Sequence, residues 1–309
     1  MRTCTGNAVN HAAKSGTARV MLVVLGLLWG LNWPAVKISL SGVSPWALRS
    51  TGLGVAACTV FALGLLRRRP MGLPQGRERL HVLVAGLLNV ALFNILLTFA
   101  QLGAATSRVA IITYSMPLWA TLAARLVLGE RLDALRAGGL ALGATGLGVL
   151  LWPLMAGGLP PGILLALGAA ISWAVGTVYM KWAGLRSEPL ALAGWQLLIG
   201  AVVALTGLLS FEHGRHFPPW SEIDARLLLA LGYHILFGMA VAHVLWFSIV
   251  ARMPAGVAAL GTLLVPVVGV TGAVVLLGER PAVTDLVGFA LIFCAAMCVL
   301  LPGRRSRPR

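Results

Sequence analysis

Acidic residues are scarce in this chain. Nine Asp+Glu stand against 24 Lys+Arg in 309 residues, giving a formal net charge of +15 at pH 7. Glu78, Glu130, Asp133, Glu188, Glu212, Glu222, Asp224, Glu279 and Asp285 all fall between apolar runs or at their ends, never in the middle of one. This excludes a pair of intramembrane acids for aspartyl chemistry, and it removes the buried Asp or Glu that proton-coupled carriers commonly use. Cysteine is scarce too. Cys4, Cys58, Cys294 and Cys298 show no metal-ligand spacing and three of them lie in apolar stretches, so they read as small apolar residues rather than a zinc site or a disulfide framework. No H-E-x-x-H, G-x-S-x-G or P-loop occurs, which argues against an enzyme and leaves ATP to drive the chain only through a separate subunit. No metal and no cofactor is expected.

Apolar residues make up 59% of the chain and charged residues 11%, against about 45–50% and about 25% in soluble domains. The mean hydropathy is +0.90. Lipid rather than water must solvate most of the surface, so the expected fold is an all-α integral membrane protein. Apolar runs between charges and Pro/Gly clusters predict ten transmembrane helices, at 20–40, 45–66, 80–102, 107–128, 134–152, 161–182, 190–210, 226–250, 255–277 and 284–301. At about 20 residues per span these use roughly 200 residues and leave only short loops. The first run follows Lys14 and Arg19 as a signal peptide would, but nine further spans argue against cleavage there.

With a cytoplasmic N-terminus, an even number of spans returns the C-terminus to the cytoplasm. The inside loops and tails then carry 17 cations and the outside loops four, Arg108, Arg215, Arg226 and Arg280, while Lys37, Arg49 and Arg125 lie within spans. The positive-inside rule therefore predicts both termini cytoplasmic, with residues 1–19 and the basic 302–309 as tails. Basic charge here is a topology signal. The expected partners are the lipid bilayer and a small-molecule substrate, with no nucleic acid.

The sequence repeats itself once. Trp29, Lys37 and Pro45 recur 144 positions later as Trp173, Lys181 and Pro189. Ala110, Thr113, Pro117, Ala124, Leu128, Gly129, Glu130, Arg131 and Gly139 recur at an offset of 149 as Ala259, Thr262, Pro266, Ala273, Leu277, Gly278, Glu279, Arg280 and Gly288. Each unit, 20–152 and 161–301, holds five expected spans. An odd number turns the second unit upside down, an arrangement typical of secondary transporters with a substrate site near the midplane.

These residues also carry a family resemblance. Trp29-Gly30 with Lys37 eight residues after the Trp, Pro45 followed by Arg49, and a Pro twelve residues before each Gly-Glu-Arg resemble the EamA unit. Two consecutive copies over almost the whole chain resemble the ten-helix drug/metabolite transporter superfamily. That resemblance implies a monomeric or homodimeric inner-membrane carrier, often an exporter of amino acids or related metabolites, working by alternating access. One departure stands out: Arg49 has no basic counterpart, since Ala193 occupies the aligned position and Gln196 lies a turn later.

Polar residues inside the spans are the candidate substrate-cavity set: Trp29, Asn32, Arg49, Asn94, Tyr114, Trp173, Gln196 and His243. Asn94 and His243 correspond through the offset of 149, and unpaired polar groups in lipid are costly, so each faces either a cavity or another helix. His234 and His243 are the intramembrane groups that titrate near neutral pH without perturbation, and coupling through His243 stands beside the plainer reading of a neutral interhelical hydrogen bond. A central arginine costs about 2.5–3.5 kcal/mol on insertion scales. Arg49 therefore needs either a carbonyl at a broken helix or a substrate carboxylate. Lys37, near the outer end of its span, is expected to extend toward the headgroups. Trp29 and Trp173 lie too deep for an interfacial belt and, with Asn32 and Tyr114, suit a mostly apolar cavity. Pro117 and Pro266 each free a backbone carbonyl and are expected as paired hinges. Gly26-to-Gly30 and Gly139-to-Gly143 have the spacing of close helix contacts. The two Gly-Glu-Arg ends either lock gates by ion pairing or simply terminate spans.

Together these features point to a secondary transporter exporting small metabolites such as amino acids. Multidrug efflux of amphipathic cations on the same scaffold is the alternative within transport, and a non-transporting membrane scaffold is the alternative outside it.

Overall fold

A computed structural model describes residues 4–130, 132–155, 158–214, 217–250 and 262–300. The regular elements among them are all helical. Helix α1 spans Cys4–Ser39, of which Val20–Ser39 is the membrane-length apolar part. It is followed by α2 (Pro45–Leu66), α3 (Glu78–Gly103), α4 (Thr106–Val127), α5 (Ala134–Met155), α6 (Pro161–Ala183) and α7 (Pro189–Phe211). Helix α8 comprises Ala225–Gly232, a π-helical stretch Tyr233–Val241, and Ala242–Val250. These eight are long and apolar enough to cross a membrane. Two more apolar helices, α9 (Leu264–Leu277) and α10 (Val283–Leu300), are shorter. The expected ninth span begins within 251–261, and the expected C-terminal tail is 302–309; both stretches lie outside the described residues.

Local chemistry sets these boundaries. Pro45, Pro161 and Pro189 open α2, α6 and α7, where a missing N–H costs nothing and the fixed φ suits the first turn. Gly184 and Gly278 end α6 and α9 in the left-handed conformation, the usual glycine stop. Where residues 1–19 were expected as a tail, helix already begins at Cys4, since no proline interrupts it before Pro34.

Three spans are irregular. Helix α3 carries a π-helical segment at Leu87–Leu92, and α8 carries the one at Tyr233–Val241. The offset of 149 places the first segment within the second. Helix α4 breaks at Tyr114 and Ser115 between Thr106–Thr113 and Met116–Val127. Pro117 sits in the first turn after that break, and Pro266 sits in the first turn of α9. π-Segments and proline breaks are the ordinary sources of helix bending, and they concentrate at functional sites.

The dominant packing joins the two halves of the chain. Helix α2 lies on α7, α5 on α10, α1 on α9, and α3 on α6, while α8 packs against α1 and α2. The Gly26–Gly30 pair is where α9 sits on α1: a Cβ at Gly26 would stand 2.8 Å from the Leu264 side chain, and one at Gly30 would stand 2.4 Å from that of Val268. Small residues let backbones approach in this way when no hydrophobic effect drives helices together in lipid. Gly30→Leu is therefore expected to destabilise the bundle by about 1–3 kcal/mol. The check is a lowered unfolding temperature in detergent, with Gly54→Ala, where an added Cβ meets nothing within 4 Å, leaving it unchanged.

Candidate functional site

Polar side chains converge where α8 crosses α1 and α2. Asn32, one turn beyond Trp29 on α1, lies on Gly238 of α8, where a Cβ would meet its Oδ1 at 2.1 Å. That close approach brings Asn32 Oδ1 to 2.9 Å from Nδ1 of His234, a fully buried residue. With the Asn32 oxygen accepting, Nδ1 carries the proton and Nε2 is left as a bare acceptor. Nε2 has no hydrogen-bond partner among the described residues. It faces α2, so close to Gly52 that a Cβ there would come within 2.9 Å.

Arg49 stands one turn before Gly52 on the same helix. The residue is 3% exposed, and its guanidinium donates from Nε to the hydroxyl of Thr98, which in turn donates to the Asn94 carbonyl at 2.7 Å. No ion pair involves Arg49 among the described residues: Asp285 pairs with Arg108 and Glu130 with Arg136 and Lys181, while Glu279, Glu78 and Asp224 accept backbone N–H groups. The structure thus gives Arg49 a hydroxyl, in place of the broken-helix carbonyl that the sequence suggested as its protein partner. Lys37 also departs from expectation. Rather than reaching for headgroups, it turns inward and donates to the Gln101 carbonyl, while Gln101 Nε2 donates to the Trp33 carbonyl at 3.2 Å.

The other expected residues divide into those brought together and those kept apart. Trp29 contacts His243 edge-on at 6.0 Å and Trp246 at 5.7 Å between ring centroids. His243 Nδ1 donates to the Met239 carbonyl one turn back, at 2.6 Å. Tyr114 occupies the break in α4 with its ring 6.4 Å from Trp33. Asn94 Nδ2 donates within its own helix to Val90, and Gln196 does the same to Leu192. Trp173 is half-buried on α6. Sequence reasoning did not select His234 or Thr98. His234 was visible as an intramembrane histidine, but only the Asn32–Gly238 contact distinguishes its surroundings from those of His243.

The two ends of the bundle are tied differently. At one end Glu279 accepts from the Thr106 and Ser107 amides at 2.6 and 2.8 Å and from the Ser107 hydroxyl at 2.6 Å, as a carboxylate does at a helix N-terminus. Arg108 and Asp285 form a two-pronged pair beside it at 2.9 Å. At the other end Glu130 takes Lys181, and Glu78 accepts from the Arg186 and Ser187 amides. A cleft of about 340 Å³ lined by Ser41, Phe217, Glu222 and Asp224 adjoins another of about 210 Å³ lined by Lys37, Asp224 and Arg226. Both open at the Lys37 end of α1 rather than at Arg49.

The comparisons with known proteins bear on family and fold. The model of the EamA-like transporter family matches residues 17–152 and again residues 160–301. The chain belongs to that family. It is 32% identical over 191 residues to "Uncharacterized transporter YvbV" of Bacillus subtilis (strain 168), a match spanning 61% of each chain. It is 26% identical over 286 residues to "Probable amino-acid metabolite efflux pump" of Escherichia coli (strain K12), covering 90% of this chain and 92% of that one. A solved crystal structure shares the fold with a TM-score of 0.63 at 23% identity, covering 92% of this chain and 98% of the other.

Asn32→Ala would strip the buried His234 ring of its one hydrogen-bond partner among the described residues, and an unsatisfied buried group costs about 1–3 kcal/mol. The expected result is a lower unfolding temperature in nanodiscs for Asn32→Ala than for Gln196→Ala, whose bond lies within its own helix.

Proposed function

We propose that this multi-pass EamA-family protein is a secondary carrier that exports small metabolites, amino acids or related compounds, across an inner membrane by alternating access. The proposal includes ten spans in two inverted five-span units, with both termini cytoplasmic. Its main support is the reciprocity of the helix contacts. Helix α1 packs on α9 as α6 packs on α4, and α3 packs on α6 as α8 packs on α1, so these central contacts have their counterparts under exchange of the repeats. Helix α2 meets its own repeat mate α7, and α5 meets α10. An inverted pair related in this way has two equivalent arrangements, each the mirror in function of the other, and rocking between them exposes a central site to either side.

The ends of the bundle suit one such arrangement. Glu130 and Lys181 are the repeat mates of Glu279 and Lys37. The first pair is joined, whereas Glu279 holds the α4 N-terminus and Lys37 holds the Gln101 carbonyl. A buried Arg49 without a counter-ion opposes the efflux of amphipathic cations, because a cation entering beside it would add like charge in a medium of low dielectric constant. The relative named for amino-acid metabolite efflux supports the substrate class.

The test is counterflow. Proteoliposomes preloaded with unlabelled L-phenylalanine, L-leucine or L-alanine should take up the same labelled compound saturably for at least one member. Equal uptake into protein-free liposomes for every member would refute the carrier reading.

A further inference from the structure

Arg49 and His234 are the two buried polar groups of the central crossing left incomplete. Arg49 brings a positive charge to the interior and meets only a hydroxyl. His234 is fully buried with its Nδ1 engaged and its Nε2 free. They meet the same stretch of α2: Nε2 lies against Gly52, one turn from Arg49, and Arg49 is the charged group that acts on the ring. The acid nearest in the contacts is Glu212 at the end of α7, whose Oε1 accepts from the Trp46 amide of α2 at 3.3 Å, one turn before Arg49, and which forms no ion pair with Arg49 among the described residues. Helix α2 carries no other ionised side chain within its span. Helix α1 contributes the neutral Asn32 amide, with Lys37 committed to Gln101. On α8 itself, Tyr233 donates to the Leu28 carbonyl, Arg226 donates to the Leu276 carbonyl, and His243 is bonded to Met239.

We infer that Arg49 and His234 form one site that takes a carboxylate and a proton together, the guanidinium holding the carboxylate and imidazole Nε2 the proton. This rests on the transporter reading above and specifies the coupling at its site. Without an anion, a proton on Nε2 would place two positive charges side by side in a medium with little screening. With a carboxylate between them each cation has a counter-ion, and the guanidinium presents paired N–H donors suited to two carboxylate oxygens. Carboxylate and proton therefore assist each other's binding, a coupling that is reciprocal by thermodynamic necessity. The proton enters from the water on the side to which the site opens and leaves with the substrate on the other. Each cycle then moves one carboxylate and one proton, although no Asp or Glu stands in the middle of an apolar run.

Two measurements on the full-length protein in proteoliposomes test this. The first traps the pH indicator pyranine inside, holds the membrane potential at zero, and adds from outside whichever of L-phenylalanine, L-leucine or L-alanine gives counterflow. Uptake should acidify the lumen by about one proton per substrate. His234→Gln should lose this acidification at least tenfold relative to substrate moved, while residual counterflow reports that it is folded. The second sets the amide of the same amino acid, which lacks the carboxylate, against the labelled acid. The amide should compete at least tenfold more weakly in wild type, and Arg49→Gln should erase most of that difference where Arg49→Lys keeps part of it. Substrate uptake by wild type without proton movement would overturn the coupling, as would full acidification by His234→Gln or equal competition by the amide, and each leaves the carrier reading intact. Absence of any counterflow in wild type would overturn the carrier reading and this inference with it.

Discussion

Asparagine against glycine is the contact on which the centre of this molecule depends. Lipid offers no hydrogen bonds, so a polar side chain inside a span must find its partners in another helix at short range. Asn32 of α1 lies on Gly238 of α8, and Asn89 of α3 lies on Gly176 of α6, where a Cβ would meet its Oδ1 at 2.7 Å. The offsets of 144 and 149 pair Asn32 with Gly176 and Asn89 with Gly238. The two crossings therefore use the same two positions with the residues exchanged. A large side chain at both positions would clash, and a small one at both would leave nothing polar at the crossing. The alternation satisfies packing and hydrogen bonding together.

Both crossings also involve a π-helical segment, Leu87–Leu92 in α3 and Tyr233–Val241 in α8. An extra residue in a turn rotates the side chains that follow relative to those before it. In α8 this segment contains both His234 and Gly238, so the imidazole and the notch that receives Asn32 are placed by one backbone irregularity. Helix α4, broken at Tyr114 and Ser115, supplies bending elsewhere in the bundle. Regular helix at the periphery and irregular helix at the centre is the distribution expected where interior backbone is held by protein rather than by lipid.

Much of the fold was legible in the sequence because lipid imposes a coarse rule on composition. The apolar runs beginning at or beside Pro45, Pro161 and Pro189 mark helix starts to within a residue, since proline lacks the N–H that a first turn does not use. Gly26 and Gly30 were legible as a close contact through their spacing alone. The polar centre was only half legible. Asn32 and Arg49 could be selected as costly residues in apolar runs, but their partners could not, because Thr98, His234 and Gly238 are distant in sequence and ordinary in type. Lys37 was misplaced for a similar reason. Snorkelling is the default for a lysine near a span end, and only the fold shows that the Gln101 carbonyl lies within reach.

The two halves share a scaffold and differ in charge. Arg49 aligns with Ala193, which is buried, and the offset of 149 aligns His234 with Ala85, also buried. If both halves kept a cation at this depth, two positive charges would repel across the α2–α7 contact, in a region where water screens neither. With the cation confined to one half, the bundle retains paired helix contacts while holding a single charged centre. On the alternating-access reading proposed above, symmetry in packing serves a motion that must work equally in both directions. Asymmetry in charge then gives that motion one site to carry, so that on this reading the departure of Arg49 from the repeat belongs to the chemistry and the repeat itself to the mechanics.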